Sequence, residues 1–356
     1  MPAAASQAAL SSARPVLEVD GRDSATLGSG LIDMQINDTA DGMARCELTF
    51  GNWGSPDGGG FQYFGRDVLD FGKVVKVKLG NSTLFEGRIS AITARFPEGS
   101  TPQVGVCCED RLQDLRMTRR TRSFADAALS DVLQRIASDH GLQPQLDVSG
   151  ETYKLLAQVN QSDLAFAREL ARREDVQLWV DGTQLKAAQR ARRQGATVDL
   201  AWAGTLREFH VAADLAHQRT KLVGTGWSVA DKQAAKHEAD DAAIRAELGG
   251  GTSGAQTLQQ AFGARVDTLA HGLPAADAEA RALAEASFRH LARRFVVGRG
   301  VAETDPGLRV GAKVRITGVG PIFEGDYTVT DTQILFDASR GLRTEFMCDR
   351  PAIGSH

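Results

Sequence analysis

Apolar and polar positions alternate with a period of two from about Pro15 to Thr118, the spacing of half-buried strands. Val16, Leu17 and Val19 open the first, and Leu31–Ile36 and Cys46–Phe50 read as two more. Asn52 to Gly60 is a loop by its glycines, proline and asparagine. Val75, Val77 and Leu79 then share one face against Lys76 and Lys78, Gly80 to Ser82 supplies a turn, and Leu84 to Ile92 returns. Short strands at this spacing predict a barrel or sandwich. Past residue 120 the period changes. Leu129, Val132, Leu133 and Ile136 make one helical stripe, with a capping-box-like start at Ser123 and Asp126 and a stop at His140-Gly141. A second helix opens at Ser162, turns Phe166, Ala167, Leu170 and Ala171 inward, and runs into the strand Val176–Val180 and the turn Asp181-Gly182. Residues 121–190 therefore predict a small α/β module.

Strand signals resume at 197–202, 206–211 and 221–227. From Asp231 to Arg294, 18 residues are alanine and the segment reads as helix, broken at Gly249–Gly254. Only Leu283, Phe288, Leu291 and Phe295 form a firm apolar stripe there, so the segment should lean on something else. The last block, Leu308 to Cys348, is strands again, and it repeats a phrase. KVKLGNSTLFEG at 76–87 returns as KVRITGVGPIFEG at 313–325, so that Lys76 aligns with Lys313 and Phe85 with Phe323. Two hairpins converging on similar turn residues would explain this, as would a duplicated barrel. The second reading gives the expected architecture: mainly β with α/β, two similar β-barrel domains separated by a small α/β module, plus a helical insertion. Its parts are a disordered lead over 1–16, a first barrel over 17–120, the module over 121–190, a second barrel over 191–230 and 295–350, and the insertion over 231–294.

Composition narrows the chemistry. Of 356 residues 42% are hydrophobic and 24% charged, as in a globular protein, and a chain this long predicts two or three domains. A formal charge of −4 argues against a general nucleic-acid or anionic-membrane binder. The basic runs Arg116–Arg122 and Arg190–Arg193 are better read as solvated linkers or as partners of acidic groups in the same chain. No apolar run nears the ~20 residues of a membrane helix, and the N-terminus has neither the basic nor the apolar region of a signal peptide. Cys46, Cys107, Cys108 and Cys348 form no metal knuckle and read as buried thiols.

The sequence holds only fragments of enzyme motifs. His237-Glu238 with Asp241 echoes a zinc-binding HExxH helix, but an aspartate stands where the second histidine belongs, so an exposed charged helix face is expected. His210 and His217 flank Asp214 without a nucleophile motif. Gly224-Thr-Gly226 lacks the third glycine of a dinucleotide loop. No catalytic, cofactor-binding or metal residue is therefore assigned, and no cofactor is expected.

One resemblance spans nearly the whole chain from about residue 15. Gln161–Glu174 followed by Val176–Val180 and Gly182, then Leu206–Leu215, Val223–Trp227, and Pro306–Gly311 with Phe323–Val329, occur in the order seen in the late-control D family of contractile phage tails. That family resembles the N-terminal hub of VgrG spike proteins. The resemblance implies a non-enzymatic homotrimeric hub joining a sixfold inner tube to a threefold spike. It further implies tube, spike and other baseplate partners, synthesis in the cytoplasm and incorporation into a tail-like particle. Because the chain stops at His356, the spike is expected on a separate chain. The runner-up expectations are a cell-wall glycan-binding module and a tail-associated cell-wall hydrolase.

Overall fold

The computed structural model describes residues 14–54, 59–228, 232–269 and 274–354. Most of the lead expected over 1–16 lies outside the described residues, as do residues 55–58 of the expected loop and parts of 231–294. The chain opens with β1 (Val16–Val19), β2 (Arg22–Asp23), helix α1 (Ala25–Gly30), β3 (Leu31–Thr39), β4 (Arg45–Gly51), β5 (Val74–Leu79), β6 (Ser82–Arg95) and β7 (Gln103–Glu109). Helix α2 (Leu112–Met117) leads to β8 (Arg119–Ala127), α3 (Leu129–Asp139), β9 (Gln143–Asp147), β10 (Tyr153–Ser162), α4 (Asp163–Arg173), β11 (Val176–Asp181) and β12 (Gln184–Gln189). Next come β13 (Thr197–Ala201), β14 (Leu206–Ala213), β15 (Lys221–Ser228), β16 (Gln233–Ala239), β17 (Thr252–Ser253), α5 (Gly254–Phe262), β18 (Val266–Leu269) and α6 (Asp277–Arg293). The chain closes with β19 (Val296–Glu303), β20 (Lys313–Thr317), β21 (Gly325–Asp337), β22 (Gly341–Arg350) and β23 (Ala352–Ile353).

The fold is mainly β, and its largest sheet runs without a break from one end of the chain to the other. Its order is β14-β19-β22-β21-β3-β4-β7-β6-β5-β1-β2, with β20 and β13 attached beside β21. Among the described residues this sheet does not close into a barrel, a departure from the two separate barrels expected. The reason is the length of β21. One edge pairs with β22, while the other is divided: Gly325–Thr328 pairs with β20, and Asp331–Asp337 crosses over to pair with β3. Ile334 and Phe336, with Leu342 of β22, thereby complete a core otherwise built by the first half, with Leu17, Met34, Ile36, Phe50, Val77 and Val106. A second core gathers Val314, Ile316, Tyr327, Val329, Phe346 and Cys348.

Within that sheet one topology occurs twice. The series β3-β4-β7-β6-β5 and β14-β19-β22-β21-β20 have the same antiparallel order and the same order along the chain. Their irregularities also coincide. The β3/β4 register shifts between Leu31 and Asp33, and the β14/β19 register between Leu206 and Glu208. The β6/β7 register shifts between Ile89 and Ala91, and the β21/β22 register between Val329 and Asp331. Bulges re-aim a strand at a fixed place, so two coincidences are stronger than shared strand order alone. Ile89 faces Cys108 as Val329 faces Cys348, and Lys76 faces Glu86 as Arg315 faces Asp326. The repeat is thus present, but its register differs from the alignment expected: Lys76 corresponds to Arg315, not Lys313. Phe323 and Glu324 precede β21, whereas Phe85 and Glu86 lie within β6.

Residues 119–189 have their own core, in which Leu129, Val132, Leu133 and Ile136 pack against Leu164, Phe166, Ala167 and Leu170. The Ser162 cap is as expected, its Oγ accepting from the Ala165 N–H at 3.2 Å. The first helix begins later than expected. Ser123 belongs to β8, and the Asp131 carboxylate, not Asp126, accepts the free N–H of Ala128 at 2.9 Å.

The segment 231–294 is not simply helical. Residues 233–239 form β16, antiparallel to β15, and 266–269 form β18, parallel to it. This three-stranded sheet also takes β15 away from the second barrel expected. Ala235 and Ala239 are buried on one face of β16, so pairing overrides their helix propensity. Small residues are needed here because α6 lies close above. A Cβ on Gly224 would meet the Ala280 carbonyl at 2.8 Å, and one on Gly226 the Pro274 carbonyl at 2.0 Å. The GTG stretch packs under α6 and the segment that leads into it.

Candidate functional site

The residues singled out as possible ligands or catalysts do not converge. His237 lies on β16, where its Nε2 is 3.6 Å from Glu285 of α6. Asp241 lies beyond that strand and accepts from Gln256 Nε2 at 2.9 Å. The helix face expected to carry both is absent, since a strand with a following turn does not bring positions i and i+4 together. Glu238 pairs with Lys221 at 3.2 Å and Lys236 at 3.0 Å. His210 is on the outer edge of β14, while Asp214 accepts from the Ala216 N–H at 2.8 Å in the turn leading to His217. Among the described residues no group of three or more His, Cys, Asp or Glu is disposed to hold one metal ion.

The charged chemistry is spent inside the chain. Arg122 donates to Asp139 at 2.6 Å and to Asp163 at 3.1 Å, and Arg120 reaches Asp163 at 3.1 Å. Burial pushes the Asp163 carboxyl up, but hydrogen bonds from Gln158, His140 and Arg120 and the charge on Arg122 outweigh it and hold the carboxyl below its usual range. In the second basic run Arg190 pairs with buried Asp349, and Arg193 lies over the Trp179 ring at 4.2 Å. Burial lowers the Arg193 guanidinium to about 10. Both runs thus find intrachain partners. Arg293, 2% exposed, binds Asp175 and Glu247 together, tying α6 to the turn after α4. An open cleft of about 800 Å³ beside it is lined by apolar residues together with His290 and the charged Arg190, Arg293, Arg294 and Asp349, which already have partners or face solvent.

What remains is surface that one half of the molecule uses and the other leaves free. Arg309 donates to the Thr83 carbonyl at 2.6 Å and to that of Leu84, clamping the β5–β6 turn to the second half. Phe336, on the part of β21 that crosses to β3, is 3% exposed. Its counterpart by topology, Phe96 just past β6, is 63% exposed. Phe96 lies in an open aromatic group with Phe61 and Phe64, each 6.1 Å away between ring centres, and Trp53 touches Phe61 at 5.5 Å. Sequence reading missed Arg309, Arg293 and Phe96. The repeat in its correct register would have exposed the last, since it pairs Phe96 with Phe336.

The fold has clear relatives among solved structures. The prophage MuSo2 tail protein of Shewanella oneidensis superposes with a TM-score of 0.71 at 14% identity, covering 95% of this chain and 98% of that one. A tail protein of Neisseria meningitidis gives 0.66 at 12%, covering 95% and 97%. A component of the E. coli type VI secretion system, described as similar to bacteriophage tail proteins, gives 0.56 at 12%, covering 94% and 76%. At such identities the likeness is one of fold. No curated protein matches the sequence. The family model of the Alg8 N-terminal domain matches residues 15–334, most of the chain, and this protein therefore belongs to the Alg8 N-terminal domain family.

Proposed function

We propose that this chain is a structural protein of a phage tail or tail-like injection particle, and that within it three copies form the hub between a sixfold tube and a threefold spike. The observation that carries the reading is the double occurrence of one five-strand topology with both bulges in place. Three chains, each with two similar faces, present six faces to a tube and three to a spike. The shared fold with tail proteins supports the tail role. The dispersal of His210, His217, His237 and Asp241 supports a role without covalent chemistry. In this reading 17–120 and the outer parts of 191–350 are the two ring-forming units, while the module and the insertion stand outside the ring.

The test is the mass of the purified full chain by light scattering or native mass spectrometry, together with its copy number in particles. Three chain masses are expected. A chain that remains monomeric both in solution and within the particle would remove the hub reading. Alanine at His210, His217, His237 or Asp241 should leave particle assembly intact.

A further inference from the structure

The sheet has two open edges that match each other as two edges already joined inside the chain do. Past Ile89, which still exchanges backbone hydrogen bonds with Lys73 and Gly72, the outer edge of β6 has no backbone partner among the described residues. At the far end of the same sheet β14 pairs with β19 alone over Glu208–Ala213, and among the described residues its other edge has no strand partner there. By topology the tail of β6 is the counterpart of the tail of β21, and β14 is the counterpart of β3. The tail of β21 and β3 are the two strands that join the halves, with Thr332 opposite Asp38, Ile334 opposite Ile36 and Phe336 opposite Met34.

We infer that the tail of β6 pairs antiparallel with β14 of a second copy of this chain, repeating the internal β21–β3 junction between subunits. This rests on the multimeric hub reading and adds to it the strands and the register. Carrying the internal register across sets Ile92 opposite Ala213, Thr93 opposite Ala212, Ala94 opposite Val211, Arg95 opposite His210 and Phe96 opposite Phe209. Three observations converge on this partner. Both strands of the internal junction have topological counterparts, and both counterparts have an open edge. The bulge that shapes β3 at Leu31–Asp33 recurs in β14 at Leu206–Glu208, so β14 offers the same bent edge. The apolar side chains also fit. In the internal junction Ile334 and Phe336 are both 3% exposed within the first core. Their counterparts Ala94 and Phe96 are exposed, while Phe209 and Val211 only partly cover the second core. A second copy would bury Phe96 there as Phe336 is buried here.

An open edge of this length invites pairing with any strand. What selects a second copy is that its β14 edge is free and already shaped for this register. Chains joined in this way alternate internal and intersubunit junctions, so that like surfaces recur twice per chain around a ring.

Disulfide trapping tests the register. Thr93 and Ala212 are exposed and directly opposed in it, and residues opposed across antiparallel strands come close enough for a disulfide in their non-hydrogen-bonded pairs. The full-length Thr93→Cys/Ala212→Cys variant is made with Cys107→Ser to remove the half-exposed native thiol, and Ala94→Cys/Val211→Cys samples the adjacent pair of the other hydrogen-bonding type. Under mild oxidation at high protein concentration at least one pair should link most chains into covalent multimers. The single variants and a shifted Thr93→Cys/Arg207→Cys pair should stay mostly unlinked. Mass under the same conditions without oxidation separates the two ideas. A trimer that neither matched pair cross-links, or that the shifted pair links equally well, overturns the junction and leaves the hub reading standing. A protein that stays monomeric and uncross-linked overturns the junction, and it overturns the hub reading too when the chain is also monomeric within the particle. Phe96→Asp gives a second readout, with at least a tenfold weakening of self-association and an unchanged melting temperature of the separated chain expected. Unchanged self-association would count against the junction.

Discussion

The halves of the large sheet share strand order and bulges, yet they finish the same places with different chemistry. At the end of β7 the chain reads Cys108-Glu109-Asp110, and at the end of β22 it reads Cys348-Asp349-Arg350. Asp110 accepts the N–H groups of Ala44 at 2.9 Å and Leu112 at 2.8 Å. Arg350, in the same topological place, donates to the Glu324 carbonyl at 2.7 Å and to that of Ile322, and lies 4.5 Å over the Tyr327 ring. One half closes its corner by accepting from free donors, the other by donating to free acceptors. The topology therefore requires that the backbone be satisfied at this corner, and it leaves the sign of the charge open. The larger contrast lies at the strand tails: that of β21 is roofed by β3, and that of β6 is bare.

The strongest way to break this comparison is to delete the aromatic side chain at each tail. Phe336→Ala empties a site in the first core and should cost about 3–5 kcal/mol in urea unfolding of the chain. Phe96→Ala removes an exposed ring and should stay within about 0.5 kcal/mol in the same assay of the separated chain. Equal losses would mean that the tails are not in different environments. Removing a buried charge comes next. Arg293→Ala strands Asp175 and Glu247 and should cost about 3 kcal/mol or more, with protease cleavage rising in 232–269. The first half joins β3 to β4 directly and has no counterpart there of the insertion that Arg293 ties down.

Acid sharpens the contrast at the corners. Burial pushes the Asp110 carboxyl up to about 6, against the Ala44 and Leu112 hydrogen bonds. A carboxyl raised in the folded state binds its proton more tightly there, so its contribution to stability is present below about pH 4 and is lost as pH rises through 6. Asp110→Asn should flatten that fall, measured as the change in unfolding free energy between pH 4 and 6. Arg350→Gln should leave the slope in that window unchanged. Asp163 in the module has the opposite sign. Its carboxyl is held below its usual range, so its contribution is present above about pH 4 and disappears as pH falls further. Tryptophan fluorescence from Trp179 should report the module loosening at low pH, and Asp163→Asn should remove that acid sensitivity. The smallest effects belong to the cross-strand pairs. Lys76 and Glu86 are 3.3 Å apart and Arg315 and Asp326 3.0 Å, all partly exposed. Alanine at Lys76 should cost roughly 0.2–1 kcal/mol, and alanine at the more exposed Arg315 should cost less.

The repeat was legible in the sequence, but its register was not. Basic and apolar residues alternate in both copies, and a slip of two residues returns every side chain to the same face of its strand. Hydrophobic pattern therefore cannot tell Lys313 from Arg315 as the partner of Lys76, and the longer turn before Phe323 made the wrong match look better. The α4 helix was readable because Ser162 and its apolar stripe are local signals. The 233–239 strand was not, because its alanines have their reason in α6, about forty residues later. The meeting of the halves at β21 also lay outside local reading: nothing in Gly325–Asp337 says that its second half pairs with a strand near the other end of the chain. The candidate residues at 210, 217, 237 and 241 were readable as chemically incomplete, whereas the value of Phe96 appears only beside Phe336.

The insertion between β14 and β19 also bears on how this chain reaches its fold. In the first half β3 and β4 are joined by five residues and can meet almost as soon as they are made. Their counterparts are parted by residues 214–295, and an unstructured loop of that length makes closure slower and entropically dearer. The cost falls if β15, β16 and α6 condense first, since that subdomain would hold Asp214 and Phe295 within one backbone hydrogen bond of each other, 2.9 Å. The two halves should then mature at different times, with the first sheet protected from hydrogen exchange before β14 finds β19. In a chain synthesised from its N-terminus, β14 would emerge long before β19 and β22 but would wait for them to take its place in the large sheet.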